Sequence, residues 1–199
     1  WGFIGFDNCL EARLWDSSEV SFLGAVASAV ALQQERQQAE QALRLIVEGT
    51  AAKTGNEFFQ SLVRHLAEVL QVRYAFVTQL IEPDLKRART LAFWKGSEFG
   101  ENFEYELAGT PCEHIFAGQI IYYPEAIQAQ FPAHQHLADL GAESYLGVPL
   151  NDSKGKIIGH LKVLDTQPLL WEPTSEQILR IFAARAGAEK ILVEYEPLE

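Results

Sequence analysis

Two apolar runs, residues 144–150 and 156–164, flank the polar segment Asn151-Asp152-Ser153-Lys154-Gly155. This pattern predicts a β-hairpin whose Gly155 adopts a positive φ. Strand alternation places Ile157, Leu161 and Val163 on one face of the second run, with Ile158, His160, Lys162 and Leu164 on the other. The first face reads as core. The second is mixed, so it either meets solvent or lines a polar cavity. Downstream of Trp171-Glu-Pro-Thr-Ser-Glu, the residues Ile178, Leu179, Phe182, Ala183 and Ala186 recur at helical spacing, predicting a helix that packs back across the core face.

Earlier in the chain, Phe59, Leu62, Val63, Leu66, Ala67 and Leu70 form one apolar stripe, predicting an amphipathic helix that starts at Thr54 or Asn56. His65 lies off that stripe and is expected in solvent. Residues 73–81, 89–94 and 103–107 read as three strands with tight connections, an antiparallel meander. Short helices and loops with an apolar run at 120–123 lead from there to Gly141. The expected fold class is α+β, one antiparallel sheet with helices packed on one face. Pro149 falls inside a predicted strand, which calls for an edge position or a bulge.

Residues 1–32 repeat the plan of the chain's end. WGFIGFD with Trp15, Glu19, Leu23 and Ala27 parallels GHLKVLD with Trp171, Ser175, Leu179 and Ala183: strand, tryptophan loop, helix. Ser17 or Ser18 is a predicted cap for a helix from Glu19 through Leu23, Ala27 and Val30. Nothing in the polar run 33–41 breaks it before Leu43 and Ile46. A helix polar all round is a solvated rod or one strand of a dimeric coil.

Sixteen basic against 27 acidic residues give a net charge of −11, which opposes attraction to nucleic acid or to anionic membranes. No apolar run approaches the ~20 residues of a membrane span, and no secretory signal is evident. The expectation is a cytoplasmic protein. Cys9 and Cys112, the only cysteines, form no CxxC pair, so neither a disulfide framework nor structural zinc is indicated. The chain begins at Trp1 and contains no methionine, as expected of a piece of a longer protein.

ESYLGVPL, a polar turn, IGHLKVLD, a tryptophan loop and EQILRIFAARAGAE resemble the second half of a GAF domain, a small sensory module of bacterial signalling proteins. GTPCEHIFAGQIIYYPEAIQAQFP resembles the middle of one bacterial GAF subfamily. The resemblance implies a GAF domain at residues 50–192 and a tail at 193–199. It makes residues 1–32 the last strand and helix of a preceding GAF-like domain, and 33–49 a helical linker. In such proteins these helices pair across a two-fold axis, so a homodimer through the flanking helices is expected. The implied function is that of a non-catalytic sensor, with a histidine kinase as the output.

The resemblance also frames the ligand question. Phytochrome-like GAF domains attach a bilin through a cysteine, and residue-by-residue carry-over puts Pro132 at that position, so covalent bilin is disfavoured. The Asn-Lys and Phe of cyclic-nucleotide-binding GAF domains are missing from DTQPLLWEPTSE, which disfavours that ligand too. Methionine-sulfoxide reductase GAF enzymes use several neighbouring cysteines, and only Cys112 lies in the relevant half. A redox enzyme using Cys112 and a purely structural dimerisation module stand as the alternatives.

Cys112, Glu113 and His114 follow Pro111, a residue suited to a first helical turn, where a thiolate or anion is stabilised. The competing expectation is a small buried thiol within the core. The pairs Cys112/His114 and His134/His136 suggest a metal, but residues two apart on a helix diverge too far to chelate. What remains is a candidate pocket for a small-molecule ligand. Its members are Phe93, Trp94, Cys112, His114, Phe116, Tyr122, Phe131, His134, His136 and Tyr145, in segments that cover the mixed face.

Overall fold

A computed structural model of the chain describes residues 13–50, 53–81, 85–170 and 173–195, with Gly5 and Asp7. The chain divides into two compact units, residues 1–41 and 42–199. The strand expected at residues 1–7 lies outside the described residues, apart from those two positions.

Helix α1 (Ser17–Thr50), which begins in the first unit and ends in the second, opens on Asp16 rather than on a serine. Asp16 Oδ1 accepts from the amides of Ser18 at 2.8 Å and Glu19 at 2.9 Å, and the Glu19 carboxylate accepts from the Asp16 amide at 2.9 Å. A carboxylate can serve two amides at once, so this reciprocal cap displaces the serines that the sequence offers. Val20, Phe22, Val30 and Leu32 are exposed on α1.

The second unit carries helix α2 (Gly55–Leu70), whose stripe of Phe58, Phe59, Leu62, Val63 and Leu66 is buried. Strands β1 (Tyr74–Ile81), β2 (Arg87–Lys95) and β3 (Glu104–Glu106) form the expected meander. A 3-10 helix (Pro111–Ala117), strand β4 (Ile121–Tyr123) and short helices α3 (Ile127–Gln130) and α4 (Gln135–Asp139) follow. Strands β5 (Ser144–Asn151) and β6 (Ile157–Asp165) form the hairpin, and helix α5 (Pro173–Tyr195) ends the described chain. The six strands lie in the order β3-β2-β1-β6-β5-β4, every pairing antiparallel. Gly155 has φ of 80°, as the hairpin turn requires.

The hairpin departs from the simple alternation at one place. Leu150 pairs with Gly159 but Asn151 pairs with Ile157, so Ile158 is the extra residue of a bulge. The bulge reverses the faces: Ile158, not Ile157, packs with Leu161 and Val163, while Ile157 joins Leu164 on the other side. Pro149 lies next to it, on a stretch of β5 that extends past the end of β4, where the missing N–H leaves no ladder bond unmade.

Both faces of the sheet are covered. Helices α2 and α5 pack on one, against Ala75, Val77, Leu146, Val148, Leu161 and Val163. The side chains of Ile178, Leu179, Phe182, Ala183 and Ala186 that turn α5 onto the sheet are those its spacing predicts. A second core built on Phe76, Tyr105, Cys112, Ile115, Leu137 and Tyr145 lies on the opposite face, under the chain between β3 and β5.

The two flanking helices of this unit also touch each other. Thr54 stands at the N-cap of α2, yet its side chain caps nothing. The buried Glu189 of α5 supplies the acceptor instead, taking the Gly55 amide at 3.1 Å. A carboxylate here satisfies one of the amides that a helix start leaves open and complements the helix dipole. His65 is half-buried rather than solvated, its Nδ1 lying 2.7 Å from the Ser61 carbonyl oxygen.

Candidate functional site

The mixed face of β6 does not meet solvent. His160 is fully buried, Lys162 is 7% exposed, and both point into the second core. A buried lysine ammonium requires compensation, because moving a charge out of water costs several kcal/mol. No carboxylate among the described residues pairs with Lys162. Its amine donates to the Tyr105 hydroxyl at 3.1 Å and to Cys112 Sγ at 3.6 Å. It also stands 4.6 Å from the Tyr105 ring centre and 5.0 Å from that of Phe76, within cation–π range.

The group beside Lys162 that can supply a balancing negative charge is Cys112, whose Sγ lies 3.6 Å from the amine. Burial alone pushes the Cys112 thiol up, but the Lys162 ammonium and the adjacent His160 outweigh burial and hold it well below a thiol's ordinary value. His160 is itself pushed down, by burial first and against the opposing pull of Cys112. The phenols of Tyr105 and Tyr145 are driven up, by burial first and then by the negative charge on Cys112, and remain protonated donors. The Tyr145 hydroxyl lies 3.4 Å from Cys112 Sγ. Gly147, two residues along the same face of β5, makes this possible: a Cβ there would come within 2.8 Å of the Tyr145 hydroxyl.

The cluster is joined by hydrogen bonds throughout. The Thr78 hydroxyl lies 3.1 Å from the His160 carbonyl oxygen and 2.7 Å from His160 Nδ1. His160 Nε2 lies 3.1 Å from the Tyr105 hydroxyl, which accepts from Lys162 and stands 3.8 Å from Cys112 Sγ. No buried side-chain N or O atom among the described residues lacks a partner.

Beside the cluster is a cavity of about 20 Å³, lined in part by Cys112, Lys162, Tyr105, Tyr145, His134 and His136. That is room for about one water molecule. A wider groove of about 360 Å³ lies on the helix side, along α5 and the β5–β6 turn, lined by Pro149, Asp152, Arg180, Ala184 and others. It contains no buried ionisable group.

Of the ten residues the sequence singles out, Cys112, His134, His136 and Tyr145 line the small cavity. Phe93 belongs to the same core, stacked on Phe76 with ring centres 4.0 Å apart, and Phe131 packs partly buried against it. Trp94 and Tyr122 do not join them. Each follows a residue that faces the cavity side, so strand alternation turns both toward α2 and α5. His114 is exposed on the 3-10 helix, and the side chain of Phe116 lies outside the described residues. His134 and His136 have ring centres 5.9 Å apart, and no group of three or more His, Cys, Asp or Glu among the described residues could hold a metal ion. Sequence reasoning did not name Lys162, His160, Thr78 or Tyr105 as site residues. The signal was a His and a Lys at alternate positions of an otherwise apolar strand, which the mixed face already marked.

A profile of the GAF domain family matches residues 54–189. The chain belongs to the GAF domain family. Its fold is similar to the GAF domain of an Acinetobacter phosphoenolpyruvate-protein phosphotransferase, with 19% identity, a TM-score of 0.62, and coverage of 78% of this chain and 94% of that one. The A. aeolicus nlh2 GAF domain in an inactive state is similar at 13% identity and a TM-score of 0.63, covering 80% and 99%. A far-red cyanobacteriochrome photoreceptor is similar at 17% identity and a TM-score of 0.56, covering 83% and 100%. No curated protein matches the chain. At these identities the likeness concerns the fold, and the chemistry of this GAF domain has to come from its own residues. Among the described residues, no helix is long and apolar enough to cross a membrane.

Proposed function

We propose that this GAF domain is a non-catalytic sensory module of a bacterial signal-transduction protein whose output is a histidine kinase, and that the state of its buried cavity is relayed through the flanking helices. The observation that carries the reading is the alternation of β6. Lys162 lines the cavity and His160 contacts Tyr105 of its lining, whereas Leu161 and Val163 between and beside them face α2 and α5. A change at Lys162 therefore displaces strand residues that are packed directly against both helices. Glu189 ties α5 to the first amide of α2, so the helix entering the module and the helix leaving it respond together. Exposed Phe22 and Leu32 on α1 support pairing of two copies through that helix, and the net charge of −11 disfavours nucleic acid as a partner.

The cavity sets the ligand class. Drug-sized and cofactor ligands occupy roughly 300 Å³ or more, and about 20 Å³ suits only a molecule of a few atoms. A tetrapyrrole is far larger than a cavity of about 20 Å³.

Hydrogen exchange tests the relay. Replacing Lys162 by Met should change protection at the first amides of α2 and along α5 from Ile178 to Glu189 by about tenfold, ~1.4 kcal/mol in local opening. Exchange altered only in the chain between β3 and β5, with both helices unaffected, would refute it.

A further inference from the structure

We propose that Cys112 and Lys162 form a peroxide-driven covalent switch, in which oxidation of the thiolate by hydrogen peroxide ends in a sulfur–nitrogen bond between the two side chains. The inference deepens the sensory reading and depends on it only for the consequence, since the bond forms or fails to form whatever the helices do.

Three observations lead there. Cys112 Sγ and the Lys162 amine are held 3.6 Å apart inside the protein, with Sγ also 3.4 Å from the Tyr145 hydroxyl. Cys112 is 1% exposed, yet it borders a cavity with room for a molecule about the size of water, and peroxide is only slightly larger. Cys112 is the only cysteine of the unit 42–199, so no second thiol in that unit can trap a sulfenic acid as a disulfide. The nucleophile that stands at the sulfur instead is the Lys162 amine.

The chemistry balances. The thiolate attacks one peroxide oxygen: an S–O bond forms, the O–O bond breaks, and hydroxide departs. Sulfur is oxidised by two electrons and the peroxide is reduced by the same two. Hydroxide takes a proton from the Lys162 ammonium and leaves as water. The freed amine attacks sulfur, an N–S bond forms, the S–O bond breaks, and a second water departs with the amine's displaced proton. One thiolate, one ammonium and one peroxide thus become one sulfenamide and two waters. An external thiol attacks sulfur and releases the amine, leaving a mixed disulfide that a second thiol cleaves, so that Cys112 is restored and the two external thiols leave as their disulfide.

The switch removes the cation and the anion together, so neither is left unpaired in the core. It also draws Lys162 toward the 3-10 helix, pulling on the strand whose Leu161 and Val163 hold α2 and α5.

Intact-mass and peptide-mapping analysis decides the matter. The chain has no methionine, so in a Cys9→Ser background Cys112 is the only sulfur atom. After brief exposure to hydrogen peroxide, the expected result is loss of two hydrogens, a peptide pair joining Cys112 to Lys162, and full reversal by thiol reductant. Addition of one, two or three oxygens at Cys112 with no joined peptides would overturn the proposal, as would an unmodified Cys112. Hydrogen exchange on the same sample separates the two ideas. A joined pair with unchanged α2 and α5 would refute the relay and leave the switch standing.

Discussion

Replacing Cys112 by Ala is expected to destabilise the protein by about 3–5 kcal/mol, the usual cost of removing one partner of a buried ion pair. The Lys162 ammonium would remain in the core with a phenol oxygen and two ring faces but no counter-charge. The complementary change is predicted to be mild. In Lys162→Met the thiol takes up a proton and becomes a small apolar group, so roughly 1 kcal/mol is lost. Combining the two should then cost about 2 kcal/mol, well short of the sum of the single effects, because an apolar replacement of the whole pair leaves nothing charged. Denaturant unfolding of the four proteins measures the cycle. Additivity within about 0.5 kcal/mol would show that the two groups do not interact.

The second large effect concerns the backbone on which the pair is mounted. A Cβ at Gly159 would lie 2.0 Å from the Thr78 carbonyl oxygen. No rotamer relieves a contact between a Cβ and a backbone atom, so Gly159→Ala must part β1 from β6 at the centre of the sheet. The parting falls beside the Thr78–His160 hydrogen bonds of 2.7 and 3.1 Å, and through His160 it reaches Tyr105. A loss of about 3 kcal/mol is expected, the upper end of ordinary overpacking. For a chain of this length that is roughly 6–12 °C in Tm. A variant that melts within about 1 °C of wild type would mean that the two strands can separate here at little cost.

The fold was legible because its elements are locally consistent. The α2 and α5 stripes, the meander and the Gly155 hairpin each follow from spacing and turn chemistry, and each is found where expected. The bulge at Ile158 was not legible, since one extra residue in a strand changes its facing without changing its composition. The cap of α2 was also hidden. Thr54 is the local candidate, but the acceptor comes from Glu189, 134 residues away, and no local pattern reports that.

The site was half legible for a related reason. Cys112, His134, His136 and Tyr145 could be selected as chemistry-bearing residues in the segments over the mixed face. Trp94 and Tyr122 were grouped with strand neighbours that alternation sends to the other side. Lys162 is the instructive omission: a lysine within a strand ordinarily marks a solvated face, and only the burial of the whole face turns it into the cation of the site.

The most direct test of the account is the charge on Cys112. Cysteine labelled with carbon-13 at Cβ gives signals from Cys9 and Cys112 alone, and a Cys9→Ser background leaves one. The account predicts a thiolate shift for Cys112 at neutral pH, a midpoint well below the ordinary thiol value of about 8.5, and a return to that value or above in Lys162→Met. A Cys112 signal that remains a thiol through neutral pH, or a midpoint that Lys162→Met leaves in place, would contradict it.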